Sequence, residues 1–161
     1  MHFVFLGEDD DDFTRGGRRR EGFIAAMTEA GLSGERVFRV GRPPLSIEDG
    51  AAATSAILER FPDVDCIFCV SDMPAFGVQS TLLARGFAVP DDIGVAGFGN
   101  FEVSRFASPQ ISTVVTDPTL IGRQAGELIA RLLASDATEC LSSQIDAAPV
   151  LDLRGSTKRR A

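Results

Sequence analysis

The chain has 161 residues, of which 44% are hydrophobic and 24% are charged, so it can bury the core of one ordinary domain and is not a disordered tail. Its 16 Lys and Arg residues against 23 Asp and Glu residues leave a formal net charge of −7. This charge repels the phosphate backbone of nucleic acid, so we expect no direct contact of this chain with DNA. No apolar run reaches the roughly 18–20 residues of a membrane span, and strand-like sequence stands where a signal peptide would begin. We therefore expect a cytoplasmic protein that does not bind membranes.

Strand and helix patterns alternate along the chain, which is typical of an α/β domain with a mostly parallel sheet. In chain order, the predicted strands are residues 2–6, 37–40, 66–70, 93–98, 112–116 and 150–153. The predicted helices are residues 18–30, 47–60, 73–85 and 118–133, with a short irregular or helical piece at 100–107. We therefore predict one domain over residues 1–161. Its fold class is α/β, in three layers, with helices on both faces of the sheet.

Capping residues mark several helix ends. Gly31 is predicted to end the first helix, and Ser46 with Asp49 three residues later is a variant of the capping box. Asp117 before a proline is a strong start signal for the last helix. Residues 135–148 are a polar, poorly patterned link, and we expect residues 155–161 to be a frayed tail.

Cys66 and Cys69 have the C-x-x-C spacing that can indicate metal or redox chemistry. Both lie in a predicted buried strand, where residues three apart point to opposite faces. The two sulfurs therefore cannot share a ligand or form a disulfide, and we interpret them as apolar packing groups. Cys140 has no evident partner.

The side chains that most often perform catalysis are scarce. Trp and Tyr are absent, His2 is the only histidine and Lys158 is the only lysine. An enzyme would have to rely on Asp72 or on the acidic run 8–12, so we expect a binding protein without a cofactor, metal or catalytic residue. The acidic run with Asp72 also fits a phosphoryl-acceptor pocket, but that chemistry uses a lysine after a late strand, and Lys158 lies in the tail. We expect the run 8–12 to be a solvated loop.

Ligands of open parallel α/β sheets bind beyond the carboxyl ends of the strands. Residues 18–20, Arg42, Ser71 with Asp72, and Asn100 follow four of the predicted strands. Together they offer guanidinium, hydroxyl, carboxylate and amide groups, which suit a small polyhydroxylated or carboxylated ligand. Ser71 and Asp72 are equally well explained as helix caps, and only one or two of the three arginines can face a crevice.

Several motifs resemble the effector-binding domain of the LacI/GalR bacterial transcription regulators, which is similar to periplasmic sugar-binding proteins. The matching segments, in the order of that family, are residues 19–31, 71–77, 86–98, 109–114, 122–125 and 153–157. The Gly97-Phe98-Gly99 sequence and Ser71 are most similar to the gluconate-regulator branch. The resemblance implies that the chain is the second, C-terminal subdomain of the effector-binding domain. It also implies that the helix-turn-helix and the first subdomain, to which the helix at 118–133 would belong, are not part of this chain.

The resemblance also implies ligand-binding residues. Arg19 matches an arginine that clamps ligand oxygens, Ser71 a polar contact residue, and Asp72 the acidic position after it. Gly99, followed by Asn100, replaces a carboxylate that grips sugar hydroxyls. With Arg19 and Arg42 nearby, this loss favours an acidic ligand such as an aldonate. No aromatic residue lies at positions 42–45, where the family places a ring platform, so a stacked purine is not expected.

Family dimers use the helix after Ser71 and the segment after the Gly-Phe motif. The corresponding residues here are Phe76, Gln79, Ser80, Val103 and Phe106, and core burial explains the two phenylalanines equally well. We expect an effector-binding module of a regulator, as a homodimer or paired with a full-length regulator. The alternatives are an interaction protein that forms mixed dimers with full-length regulators and a relic of a periplasmic binding protein.

Overall fold

The computed structural model describes residues 1–9, 14–134 and 148–158. The strands are β1 (Phe3–Glu8), β2 (Val37–Val40), β3 (Cys66–Cys69), β4 (Gly94–Phe98), β5 (Ser112–Val115) and β6 (Val150–Asp152). The helices are α1 (Arg15–Glu29), α2 (Ile47–Arg60), α3 (Asp72–Ala84), α4 (Glu102–Phe106) and α5 (Pro118–Ala134). Each predicted strand and helix is present, with bounds shifted by a few residues.

The strands form one six-stranded sheet in the order β2-β1-β3-β4-β5-β6. The first five strands are parallel, and β6 pairs with β5 in the antiparallel direction. Because parallel neighbours end at the same edge, the loops that follow β1 to β4 meet there. The prediction of a mostly parallel α/β sheet is confirmed.

Apolar side chains cover both faces of the sheet. On one face, Val4 and Leu6 of β1 pack with Ile57 of α2 and Leu82 of α3. On the other face, the Phe5 ring packs against Phe23 of α1 with 5.5 Å between the ring centroids. Successive strand residues point to opposite faces, so this alternation follows directly from the sequence of β1. The result is the predicted three-layer arrangement.

Helices α2 and α3 approach each other closely at two glycines. A Cβ on Gly50 would lie 2.2 Å from the carbonyl oxygen of Pro74, and a Cβ on Gly77 would lie 2.0 Å from that of Ile47. No side chain fits at these distances, so the glycines permit the contact that stacks the two helices on one face of the sheet.

Most of the predicted caps are confirmed. Ser46 Oγ accepts a hydrogen bond from Asp49 N at 3.1 Å, and Asp49 Oδ2 accepts one from Ser46 N at 2.8 Å, which completes the capping box. Asp117 Oδ1 accepts from Leu120 N at 2.9 Å at the start of α5. Helix α1 begins three residues earlier than predicted, because Thr14 Oγ1 accepts from Gly17 N at 3.0 Å and caps it.

Strand β1 is longer than predicted. Glu8, assigned from the sequence to a solvated acidic loop, pairs with Val40 as the last residue of β1 and is half-buried. Backbone pairing with β2 therefore extends the strand past Leu6. Asp10, Asp11 and Asp12 lie outside the described residues.

Residues 155–157 form a turn where the sequence predicts a frayed tail. Ser156 has no exposed surface; its Oγ donates to the carbonyl oxygen of Val95 and accepts from Ser112 N at 2.8 Å. A serine hydroxyl can make both hydrogen bonds because it is a donor and an acceptor. Residues 159–161 and Cys140 lie outside the described residues, as does most of the link 135–148.

The two strand cysteines behave as predicted. Ile67 and Cys69 share the core of one sheet face, while Phe68 faces the other core, so Cys66 and Cys69 point to opposite sides. Burial raises the pKa of the Cys69 thiol well above its ordinary value. Neither sulfur forms a disulfide within the described residues.

Helix α5 keeps much of its apolar surface exposed. Ile129 is 58% and Leu133 84% exposed, and Val150 and Leu151 of β6 are 64% and 60% exposed. No helix in the described part of the chain is long and apolar enough to cross a membrane.

Candidate functional site

A crevice of about 620 Å³ opens at the carboxyl ends of the parallel strands. It lies between the end of β1, the start of α1, the loop from β2 to α2, the junction of β3 with α3, and the loop after β4. Its lining residues are Glu8, Thr14, Arg15, Gly16, Arg19, Pro43, Pro44, Leu45, Ser71 and Phe101. This is the position predicted for a ligand of an open parallel sheet.

Arg19 is fixed at one wall of the crevice by two contacts. Its Nη1 donates to the carbonyl oxygen of Val70 at 2.8 Å, and its guanidinium carbon lies 3.6 Å from the centroid of the Phe98 ring. Desolvation by burial lowers the pKa of Arg19, and the negative charge of Glu8 opposes that shift. An arginine remains protonated at neutral pH even so, and its planar group suits hydroxyl or carboxylate oxygens.

Asp72 has a different place from the one that the sequence suggests. Its carboxyl group is fully buried; Oδ2 accepts from Phe101 N at 2.6 Å and Oδ1 accepts from Thr113 Oγ1 at 2.6 Å. With no exposed surface, Asp72 offers nothing to a ligand in this conformation. It instead holds the loop of residues 99–101, here called the crevice loop, against α3 and β5.

The other predicted ligand residues differ in their position relative to the crevice. Ser71 lines the crevice and is half-buried. It is the N-cap residue of α3, but its hydroxyl makes no cap hydrogen bond. Gly99 and Asn100 lie in the crevice loop, where Asn100 Oδ1 already accepts from Arg154 Nη2 at 2.7 Å. Arg42 is exposed and does not line the crevice.

Sequence reasoning missed four groups in the lining. Thr14 and Arg15 lie before residue 18, the predicted start of the first helix, although threonine is a preferred helix cap. Glu8 was assigned to the solvated run. Phe101 exposes 48% of its surface and lines the crevice, so an aromatic face is present although positions 42–45 have none.

The crevice carries mixed charge. Glu8 faces the first turn of α1, where a Cβ on Gly16 would lie 1.7 Å from Glu8 Oε2, and helix starts favour negative charge. The two guanidiniums of Arg15 and Arg19 against this one carboxylate leave one positive charge among the described lining residues. No cluster suited to a metal ion occurs in residues 1–9, 14–134 and 148–158.

A larger depression of about 720 Å³ lies at the opposite edge of the sheet. Asp65 and Ile93, which immediately precede β3 and β4, line it together with Arg85 at the end of α3. It is shallow and faces the amino ends of the strands. We favour the crevice because converging loops and a fixed guanidinium occur there.

The candidate dimer residues differ widely in burial. Phe106 is 80% exposed and Ser80 is exposed, whereas Gln79 is 2% exposed and its Nε2 donates to the carbonyl oxygen of Pro109 at 2.7 Å. Phe76 is half-buried and packs against the core, and Val103 is half-buried. Core burial thus explains Phe76 in part but does not explain Phe106.

A mostly parallel α/β sheet with a polar crevice at its carboxyl edge is consistent with a domain of the periplasmic-binding-protein type. The family model for the periplasmic binding protein-like domain matches residues 1–157, and the chain belongs to this family. Its relatives are LacI-type regulators, so the chain corresponds to the effector-binding domain of such proteins.

Three relatives illustrate the match. A LacI family transcriptional regulator from Silicibacter pomeroyi has 58% identity and a TM-score of 0.91, over 98% of this chain and 56% of that one. A complex of the regulator CelR with cellobiose has 25% identity and a TM-score of 0.80, over 96% and 46%. The transcriptional repressor PurR of Pasteurella multocida is 33% identical over 88% of this chain and 42% of its own length. The chain spans less than half of such curated relatives.

Proposed function

We propose that this chain binds a small sugar or sugar acid in the crevice, as the effector-binding part of a LacI-type transcription regulator. The observation that carries the proposal is the fixed Arg19 guanidinium at the carboxyl edge of the sheet. An arginine already held in place loses little conformational freedom when a ligand oxygen binds it. The hydroxyls of Thr14 and Ser71 line the same crevice and suit the hydroxyls of a sugar.

Charge favours a sugar acid over a neutral sugar. The described lining has the guanidiniums of Arg15 and Arg19 and the carboxylate of Glu8, and Asp72 is fully buried. A ligand with one carboxylate complements the remaining positive charge. The cellobiose complex of the relative CelR supports a carbohydrate ligand in general.

The Phe101 ring supplies an apolar surface for the C–H face of a sugar ring. The same ring removes the argument against a purine, which rested on the lack of an aromatic residue at positions 42–45. Purines therefore belong in the test beside sugars.

Thermal unfolding followed by circular dichroism tests the proposal on the full chain, with D-gluconate, glucose, cellobiose and hypoxanthine. We expect gluconate to raise the midpoint; at 100 times its Kd a ligand adds about 2.7 kcal/mol of stability. The Arg19→Ala variant should lose the shift. Arg18→Ala should retain it, because Arg18 is exposed and pairs with Glu21 at 3.6 Å on the helix surface. If no compound shifts the midpoint of a cooperatively unfolding chain, the proposal is wrong.

A second candidate is an interaction protein that pairs with full-length regulators. Phe106 at 80% exposure favours it, as do the exposed Ile129, Leu132 and Leu133 of α5, because contiguous exposed apolar surface marks association sites. Sedimentation analysis of the chain mixed with a full-length regulator tests this pairing. A mixed dimer that dissociates in the Phe106→Ser variant would support the candidate, and the absence of a mixed dimer with either form would contradict it.

A further inference from the structure

Arg154 lies two residues after the end of β6, and its side chain is largely buried, with 10% of its surface exposed. Its guanidinium contacts four parts of the chain at once. Nε and Nη2 donate to Asp152 Oδ2 at 2.9 and 2.7 Å. Nη1 donates to Ser104 Oγ at 3.0 Å and to the carbonyl oxygen of Ile111 at 3.3 Å.

The fourth contact reaches the crevice loop. Nη2 of Arg154 donates to Asn100 Oδ1 at 2.7 Å, across 54 residues of sequence. One guanidinium therefore joins Asn100 to Asp152, the last residue of β6. The guanidinium is planar and has five N–H donors, so it can make all of these hydrogen bonds at the same time.

The crevice loop needs this support because of its backbone conformation. Gly99 has φ +117° and Asn100 has φ +56°, which is the left-handed region that L side chains rarely adopt. Among the contacts of the loop, Phe101 N donates to the buried Asp72 and the Asn100 side chain accepts from Arg154. The carbonyl oxygen of Phe101 also accepts from Ser104 Oγ, which Arg154 contacts as well. Phe101, the next residue, lines the crevice. A displacement of Phe101 would therefore disturb the hydrogen bonds to Asp72 and Arg154.

We propose that Arg154 is a positioning residue that couples the crevice loop to strand β6. The ligand in this inference rests on the proposed function, whereas the coupling between the crevice loop and β6 does not depend on it. A ligand that contacts Phe101 would move the Asn100 amide, and Arg154 would transmit that movement to Asp152. Strand β6 carries the exposed Val150 and Leu151, so the state of the crevice would be communicated to an apolar surface of the domain.

Hydrogen exchange on the full chain without ligand tests the coupling. Asn100→Ala removes the direct hydrogen bond between Arg154 and the crevice loop and leaves the contact through Ser104. We expect exchange in residues 150–152 to accelerate by about tenfold, the effect of losing one hydrogen bond. Asn100→Asp should behave as wild type, because aspartate accepts from Arg154 and tolerates positive φ. In an Arg154→Lys background, Asn100→Ala should have no further effect on β6. The control Gln110→Ala removes one exposed bond, from Gln110 Nε2 to the carbonyl oxygen of Arg105, and should leave β6 unchanged.

Acceleration confined to residues 99–104 in the Asn100→Ala variant would overturn the coupling. A second arm adds D-gluconate. Slower exchange in both the crevice loop and β6 of the wild type, with β6 unaffected in Arg154→Lys, is the expected result. Slower exchange in the crevice loop alone contradicts the coupling. No change anywhere with gluconate counts against the proposed ligand, while the ligand-free arm still decides the coupling.

Discussion

The guanidinium of Arg19 lies over the Phe98 ring, with 3.6 Å between its central carbon and the ring centroid. Phe98 ends β4, and Arg19 lies in the second turn of α1, so the contact joins two elements that border the crevice. The N–H donors of a guanidinium lie in the plane of the group, so a guanidinium over an aromatic ring can still donate to ligand oxygens at its edges. The stack therefore orients the group that we propose binds the ligand.

Arg19→Lys tests the importance of the planar group. A lysine keeps the positive charge but cannot stack or donate along two edges, so we expect about tenfold weaker gluconate binding. Isothermal titration measures the affinity, and Arg18→Lys is the control that should bind as wild type. Equal affinities of Arg19→Lys and wild type would show that charge alone is sufficient.

Two serines at helix starts should respond differently to the same change. Ser46→Ala removes the hydroxyl that accepts from Asp49 N and should cost about 1 kcal/mol in urea unfolding. Ser71 makes no cap hydrogen bond, so Ser71→Ala should change stability by less than about 0.5 kcal/mol. Its effect is expected in gluconate affinity instead. A loss of stability in Ser71→Ala as large as that in Ser46→Ala would contradict this separation.

Gly97 lies against Asp72, the residue that holds the crevice loop. A Cβ there would lie 2.3 Å from Asp72 Oδ1 and 3.0 Å from its Cα, so Gly97→Ala must displace the carboxyl group or the backbone. We expect a loss of about 1–3 kcal/mol in urea unfolding. Gly22 on α1 is the matched control, because a Cβ there meets nothing within 4 Å. Gly22→Ala should stabilise the chain by about 0.5–1 kcal/mol, since glycine weakens helices.

The sequence predicts the order of elements and the edge of the sheet that carries the crevice. Alternating apolar residues in short runs are sufficient for this, and strong local signals such as the Ser46 capping box are correctly placed. Burial of individual polar side chains is harder to predict. Asp72 and Ser71 are adjacent in sequence, yet Asp72 is fully buried and Ser71 faces the crevice. The difference arises from two donors that are distant in sequence, Phe101 N of the crevice loop and Thr113 Oγ1 of β5.

The same limit explains the errors at strand and chain ends. Glu8 is predicted to lie in an acidic loop because the sequence alone does not show that Val40 pairs with it. Ser156 is predicted to lie in a frayed tail because its hydrogen-bond partners, Val95 and Ser112, are distant in sequence. In each case a long-range hydrogen bond overrides the local pattern.

Asp63, in the segment between α2 and β3, provides a test of electrostatics through its ion pair with Arg36. Arg36 Nη1 and Nη2 donate to its two carboxylate oxygens at 2.8 and 2.7 Å. These hydrogen bonds lower the pKa of Asp63 to about 2, and the nearby His2 adds a smaller effect in the same direction. An NMR titration of the Asp63 carboxyl should report this value in the wild type and a return toward the ordinary range in Arg36→Gln.

The stability difference between these two proteins should depend on pH. A carboxyl group whose pKa is lower in the folded state stabilises the fold above its unfolded pKa of about 4, and this contribution disappears as the pH falls to about 2. The advantage of wild type over Arg36→Gln in urea unfolding should therefore shrink across that window. Arg85→Gln is the control, because Arg85 Nη1 donates to the neutral Ser55 Oγ at 2.8 Å, and its difference from wild type should stay constant. A constant difference for Arg36→Gln as well would show that the pair does not persist in solution.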